Sequence, residues 1–553
     1  MKNIYKVFAF LGIFIFSSCE LDYLDSPNDV TLSSANPDFL MNQIQTSFAG
    51  FFSGAHGRGL RVTRIWHQGG NTYEVSNGAS AQNGTWGAYS GLLQDIQSLK
   101  ELTAGGIFFR HQAVAKILEA YTLMTLVDIF GDIPYTEALD PNNFNPVADD
   151  DATVYLAAFN LLQEAKADLA AITASTPNIA NDLFYGNNAT RWTRLANTLE
   201  LRYHLNRRLI DAAGSTTAIN ALIAGGNLLQ AGDDFVFRYG SSAADPDSRH
   251  PQFAGQFPNG GGDYQSTYFM WHITEAKKLT PGDGTDSPDP RANYYFYRQA
   301  GTNPTLASEK ECIAEFKPNH YDASMVWCLP GTRGYWGRDH MDPDGIPPDN
   351  LRRTLYGVYP AGALFDDNTP GAMNATKTGG RGAGIQPIML TSFVDFMLSE
   401  AALTLGTTGD PRVLLLSGIQ KHIDYVRTWS LTTTEAAKIN TFSPAAAHNT
   451  KRDAYVALIN TEYNAAAATQ DRLRIIAREY WKSLYGSGLE AYNLYRRTGM
   501  PDNMQPGQVP DIGKFPRSFF YPNDYVVRNR NAVQKTNHDA TVFWDTNPAG
   551  FID

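Results

Sequence analysis

The chain has 553 residues, 43% apolar and 18% charged, with 30 Phe, 28 Tyr and 9 Trp. That composition excludes a disordered tail and a small disulfide-framework protein, and it supplies ample apolar surface for a core. The formal charge is −11, and no Lys/Arg run is long enough to track a phosphate backbone, which argues against nucleic acid as a partner.

At the N-terminus, Lys2 and Lys6 flank the start of a ten-residue apolar run, Val7 to Phe16, and Ser17, Ser18 and Cys19 follow. The run is too short to span a bilayer and reads as a signal peptide over residues 1–18. A cysteine directly after two small residues resembles a bacterial lipobox, with Phe16 where leucine is usual. The expectation is a lipidated Cys19 that anchors the chain to a membrane. Residues 19–30 are polar and acidic and read as a tether, leaving 31–553 as a single domain.

Helical periodicity then dominates. Arg110 to Phe130 carries Val114, Ile117, Leu118, Tyr121, Met124 and Leu126 with alanines between them, so apolar surface surrounds the cylinder and predicts an inner helix. Gly131 and Pro134 end it. Asp151 to Ile172 follows, with acids at the positive end of its dipole. A third helix is marked by Trp192, Leu195, Leu199 and Tyr203 and runs to about Asp211. Further helices are expected over Met389–Leu405, about Ile419–Trp429, Ala454–Ala467, Asp471–Tyr485 and Leu489–Arg497. Consecutive short-linked helices point to a mainly α fold, a helical solenoid or bundle. Strands are few, and Phe235 to Tyr239 is the best candidate.

Residues 231–385 differ, with 20 Gly and 14 Pro among them. This large, irregular, loop-rich insertion also holds Tyr264, Tyr268, Trp271, Tyr335, Trp336, Tyr356 and Tyr359, and long loops in an ordered chain commonly carry function. Past the signal peptide two cysteines remain, Cys312 and Cys328. Their spacing allows either a disulfide closing a short loop or two isolated thiols; no CxxC or HxxxH accompanies them to make a zinc site.

Motifs for catalysis are missing. There is no HExxH, no GxxxxGK[ST] and no GxSxG. His272 and His422 read as core or surface histidines. Gly379 to Gly384 lacks the lysine and preceding strand of a phosphate loop and reads as a flexible loop. Asp342, Asp344 and Asp349 offer calcium-like oxygens without the twelve-residue calcium-loop pattern, so a turn is favoured and structural calcium is a minor alternative. The pair Asp366-Asp367 has no readable catalytic separation. No enzyme class, catalytic residue, metal or cofactor emerges.

Several separated segments share one resemblance. Lys116 to Tyr121 followed by Asp128-Ile-Phe-Gly131-Asp132-Ile-Pro134-Tyr135-Thr-Glu137-Ala is similar to the "D-x-x-G-D-I-P-Y-x-E-A" signature of the SusD/RagB family of nutrient-binding outer-membrane lipoproteins. Trp192 to Arg202, with Asn197, resembles that family's "W-x-K-x-A-N-S-L-x-L-R" helix, Arg194 replacing lysine. Asp289-Pro290-Arg291 resembles its "DPR" turn, and Ser399-Glu400-Ala401-Ala402 its "AEA" helix. Glu490-Ala-Tyr492 through Arg496-Arg497-Thr-Gly499-Met-Pro501 and Phe515-Pro-Arg517 through Tyr521-Pro522 to Asn531 resemble its closing segments. These are scaffold positions: Asp128, Asp132 and Glu137 are expected to cap and orient the helix exit. Arg496 and Arg497 are expected to bond carbonyls or carboxylates, and Asn197 and Glu400 to be buried hydrogen-bonding groups.

The resemblance implies a tetratricopeptide-like helical scaffold at the cell surface whose loops present a ligand site. It also implies pairing with a SusC/RagA-like TonB-dependent outer-membrane barrel, with oligosaccharides as the commonest ligand and oligopeptides as the alternative. Sugar faces pack on aromatic rings while hydroxyls take polar partners. Two loops have that composition: Arg64 to Trp86, with Trp66, His67, Gln68, Asn71, Tyr73 and Trp86, and Arg333 to Asp339, where Tyr335 and Trp336 are expected to be exposed near Arg333, Arg338 and Asp339. Tyr268 and Trp271 form a third candidate. For any one of these rings the alternative is anchoring of its loop onto the solenoid.

Overall fold

The computed structural model describes residues 35–257, 263–277, 289–342, 352–374 and 377–552. The apolar run, Cys19, the acidic tether, Asp344 and Asp349 lie outside them. Among the described residues, helices of eight or more residues are α1 (Pro37–Val62), α2 (Gln94–Leu102), α3 (Phe109–Phe130), α4 (Asp151–Ala170), α5 (Ala189–Asn206), α6 (Ala212–Gly225), α7 (Thr267–Thr274), α8 (Thr391–Leu405), α9 (Pro411–Ser430), α10 (Ala445–Ala465), α11 (Thr469–Ser483) and α12 (Gly488–Thr498). None is long and apolar enough to cross a membrane.

The inner-helix expectation holds for α3, which is buried along almost its whole length and packs against α1, α2 and α4. It stops at Gly131, whose φ of 74° suits a residue without Cβ and whose N–H donates to Val127 O at 2.8 Å. Asp150 caps α4 by accepting from Thr153 N at 3.0 Å. Outside the insertion, successive helices then lie on one another: α4 on α5, α5 on α6, α8 on α9, α9 on α10, α10 on α11 and α11 on α12. The last helix returns to the first, α12 packing on α1. This is a tetratricopeptide-like succession of helix pairs, mainly α as the periodicity predicts.

One helix and several boundaries differ from the sequence expectation, α10 among them, which begins at Ala445 rather than Ala454. Helix α1 escapes the periodicity, because Gly50, Gly54, Gly57 and Gly59 dilute a stripe formed by Met41, Ile44, Phe48, Phe52 and Ala55. Helix α9 begins at Pro411 rather than near Ile419, started by Asp410, whose Oδ1 accepts from Arg412 N at 2.8 Å and Val413 N at 3.1 Å.

Between α6 and α8 the elements are short. Strand β1 (Phe235–Arg238) pairs antiparallel with β4 (Ile385–Met389), and β2 (Phe296–Tyr297) with β3 (Leu355–Tyr356). Rings pin this insertion onto α11 and the turn after it: Tyr295 stacks on Tyr485 at 4.5 Å, and Phe269 meets Tyr485 at 5.5 Å and Trp481 at 4.9 Å. The stretch Gly379–Gly384, expected as a flexible loop, is instead held by Gly380 N to Ala363 O at 3.2 Å and Gly382 N to Gly362 O at 3.0 Å. Cys312 and Cys328 form a disulfide.

The signature residues build polar joints, those around Arg202, Arg496 and Arg497 buried. Arg202 reaches Asp128 at 2.6 Å and Glu490 at 2.5 Å, and Asp128 also accepts from Asn493 Nδ2 and Trp544 Nε1. Arg497 grips Glu400 with two bonds of 2.7 Å, and Arg496 donates to Arg517 O at 2.6 Å. Asp132 accepts from Asp151 N at 3.0 Å, and Glu137 from Val147 N at 3.1 Å. Asn197 is half-buried rather than buried, donating to Asn227 O at 2.9 Å.

Candidate functional site

The three loops singled out in the sequence meet in space. After α1, Arg64 takes a φ of 60° and turns inward, its Nε donating to Gln505 O at 3.0 Å. That reversal sends Ile65–Asn71 across the insertion. Trp66 pairs with Gln265, Ser266 with Arg338, and Gly69 with Asp342 as single β-bridges. Met341 N donates to Gln68 O at 2.7 Å, and Arg338 N to Gln265 O at 3.0 Å.

Most of the nominated rings form the wall behind this junction. Trp66, Tyr335 and Trp336 are each only 3% exposed, so the expectation of an exposed Tyr335–Trp336 pair is corrected. Trp66 lies edge-on to His56 and Tyr356. Tyr335 lies beneath Arg298, which is itself paired with Asp366 at 2.7 Å. The backbone N–H of Trp336 donates to Thr354 Oγ1 at 2.8 Å. Tyr73 is buried and bonded to His340 Nε2 at 2.8 Å, and buried Tyr268 donates to Asn503 O at 2.5 Å. Loop anchoring therefore accounts for the placement of these five rings, each of which packs within the fold. Trp271 is half-buried against His272, and Trp86 packs with Tyr89 and Tyr525. Asp339 is buried, accepting from Cys328 N and Gln505 Nε2, and burial pushes its carboxyl up; Arg333 is engaged by Thr274 O and Glu275.

The accessible layer over that wall is different. Asn71 is exposed, and Tyr264 and His67 are half-buried. Two guanidinium groups lie over the Tyr264 ring, Arg338 at 4.2 Å and Arg353 at 4.0 Å, and Arg353 also donates to the Tyr264 hydroxyl at 2.9 Å. Nearby, Arg61 pairs with Asp263 at 2.5 Å. Burial, with Arg338 and Arg61 adding to it, lowers the His67 imidazole to about 3, so it is neutral at physiological pH. Five buried polar atoms at this junction have no hydrogen-bond partner among the described residues: Trp66 Nε1, His67 Nε2, Gln68 Oε1, Gln265 Nε2 and Arg338 Nε. Such groups are costly to leave unpaired. Arg353 carries no sequence signal at all; Tyr264 is legible only as one ring among many.

The described residues hold one acidic group of metal-binding geometry, Asp132, Asp150 and Asp151. Each is already used: Asp132 on Asp151 N, Asp150 as the α4 cap, and Asp151 on Phe543 N at 2.7 Å.

A helical-repeat scaffold that gathers loops around a polar, partly aromatic junction has the architecture of a binding protein. The chain belongs to the SusD-like family described as starch-binding and associating with the outer membrane, whose pattern matches residues 27–304. Solved structures agree in fold. A chitin-binding protein is 20% identical with a TM-score of 0.63, covering 93% of this chain and 100% of that one. A chitin-binding SusD homologue from Flavobacterium johnsoniae is 17% identical with a TM-score of 0.60, covering 94% and 99%. A SusD/RagB family protein from Bacteroides thetaiotaomicron is 16% identical with a TM-score of 0.65, covering 93% and 100%. No curated protein matches the sequence.

Proposed function

We propose that this chain is a cell-surface lipoprotein, anchored through Cys19, that captures oligosaccharides at the loop junction and delivers them to a SusC/RagA-like TonB-dependent outer-membrane transporter. The observation that carries the reading is the cluster of polar atoms beside Tyr264 that have no hydrogen-bond partner among the described residues: donors on Trp66, Gln265 and Arg338 and an acceptor on Gln68. Saccharide hydroxyls both donate and accept, so one ligand class answers both needs. The family and the chitin-binding structural relatives support the same class. The reading calls for no cofactor and no catalytic residue. Oligopeptides are the second reading, favoured by the guanidinium pair Arg338 and Arg353, which suits carboxylates.

Calorimetric titration of the full chain carrying Cys19→Ser tests this, with chitohexaose, maltohexaose and a tryptic peptide mixture as ligands. Glycan binding with a Kd of about 1 μM to 1 mM is expected, weakened about tenfold or more by Tyr264→Ala and by Asn71→Ala. Binding of peptides alone, falling as salt rises, would replace the glycan reading with the second one.

A further inference from the structure

Helix α8 starts beside a cavity of about 440 Å³, within the range of about 300–1,000 Å³ typical of small-molecule sites. Its floor is polar. Thr391 N donates to Asp234 Oδ1 at 2.8 Å, and Thr391 Oγ1 to Gln230 O at 2.9 Å. The next residue, Ser392, is 2% exposed, and its hydroxyl has no partner among the described residues. Asp234 already answers the first amide of the helix, so the feature left at the floor is a neutral hydroxyl needing a partner.

The wall comes from α9. Lys421, Tyr425 and Trp429 stand four residues apart and so share one helical face along the cavity. Trp429 is held edge-on by Tyr359 at 5.7 Å, which fixes the indole in place. Charges at the mouth are mostly compensated within the protein: Lys421 pairs with Asp395 at 2.8 Å, and Asp424 with Arg452 at 2.9 Å. Arg238, at the end of β1, lies exposed on the rim. A fixed aromatic wall, an unanswered buried hydroxyl and largely paired charges match a neutral polyol, whose C–H face packs on rings while its hydroxyls bond to the floor.

We propose that this cavity is a second saccharide site, taking one or two units of a neutral glycan against Tyr425 and Trp429 with Ser392 bonding a sugar hydroxyl. It shares no residue with the loop junction, and it rests on the glycan reading of the protein. Two sites on one scaffold raise the effective concentration of a long chain at the surface without any new contact at either one.

The test is the same calorimetric titration of the Cys19→Ser chain with chitohexaose and maltohexaose, now on Tyr425→Ala, Ser392→Val and Tyr264→Ala, with each variant's thermal midpoint checked first. Two sites are expected in the parent. Tyr425→Ala and Ser392→Val should each weaken one of them by about tenfold while leaving the other, which Tyr264→Ala removes, unchanged. Ser392→Val is near in size to serine and keeps the test open if the tyrosine variant unfolds. A single site that is lost in Tyr264→Ala and indifferent to both α8–α9 variants overturns the second site and leaves the loop junction standing. No binding of either glycan by the parent overturns both.

Discussion

Arg202 is 1% exposed and holds two carboxylates at once, Asp128 at 2.6 Å and Glu490 at 2.5 Å, with its guanidinium also over the Tyr121 ring. Removing it strands two buried negative charges, so Arg202→Met is expected to cost about 3–5 kcal/mol, read as a drop in urea midpoint. A loss in the ~0–1 kcal/mol range of exposed pairs would mean water reaches the joint. Residues of this kind are legible in sequence, because a charged side chain inside an apolar helical pattern must be partnered. The ligand-facing residues are not. A tryptophan that anchors a loop and one that faces a sugar have the same composition around them, and only the three-dimensional path of Arg64–Asn71 buries Trp66 while exposing Asn71.

At the level of elements, the crossing of α1 and α12 depends on two glycines. A Cβ on Gly59 would strike Gly488 O, and a Cβ on Gly488 would strike His56 O. Both obstacles are backbone and cannot rotate away, so Gly488→Ala should destabilise by about 1–3 kcal/mol or more. Gly54, on the same helix α1, has no neighbouring atom within 4 Å of where a Cβ would stand, and Gly54→Ala should stabilise by about 0.5–1 kcal/mol. Opposite signs from the two substitutions in chemical denaturation are the check; equal effects would mean the close approach is absent. Glycines also explain why α1 is hidden: Gly59 permits the contact with α12, and together with Gly50, Gly54 and Gly57 it dilutes the periodicity by which a single sequence announces a helix. Helices such as α3 and α4, whose contacts are made by large side chains, end within two residues of where their periodicity places them. The insertion is legible as loop-rich from its glycines and prolines, but its packing is not, since ring contacts such as Tyr295 on Tyr485 join segments far apart in the chain.

For the whole molecule, pH acts through histidines sealed in the core. His56, His250 and His538 are 1–3% exposed, and burial lowers them to about 3, 3 and 4. In the folded chain they stay neutral down to those values, whereas the unfolded chain binds a proton at each below about 6.5. The unfolded state therefore holds more protons through the interval from about 6.5 to 4, and stability must fall as pH falls through it. Each group contributes a slope approaching ~1.4 kcal/mol per pH unit. Asp151 opposes them: burial raises its carboxyl to about 6, so below that pH the folded state gains a proton the unfolded state takes up only near 3.8. Asp339, Asp234 and Asp95, also raised by burial, act with it, but burial lowers His67, His272, His340 and His422 as it does the first three, so the histidines outnumber the acids. The urea midpoint at pH 5 should lie clearly below that at pH 6.5 with an unchanged m-value, and His538→Gln should flatten the slope. A midpoint that stays level across this interval would require these imidazoles to be reached by water in the folded chain, contrary to their burial.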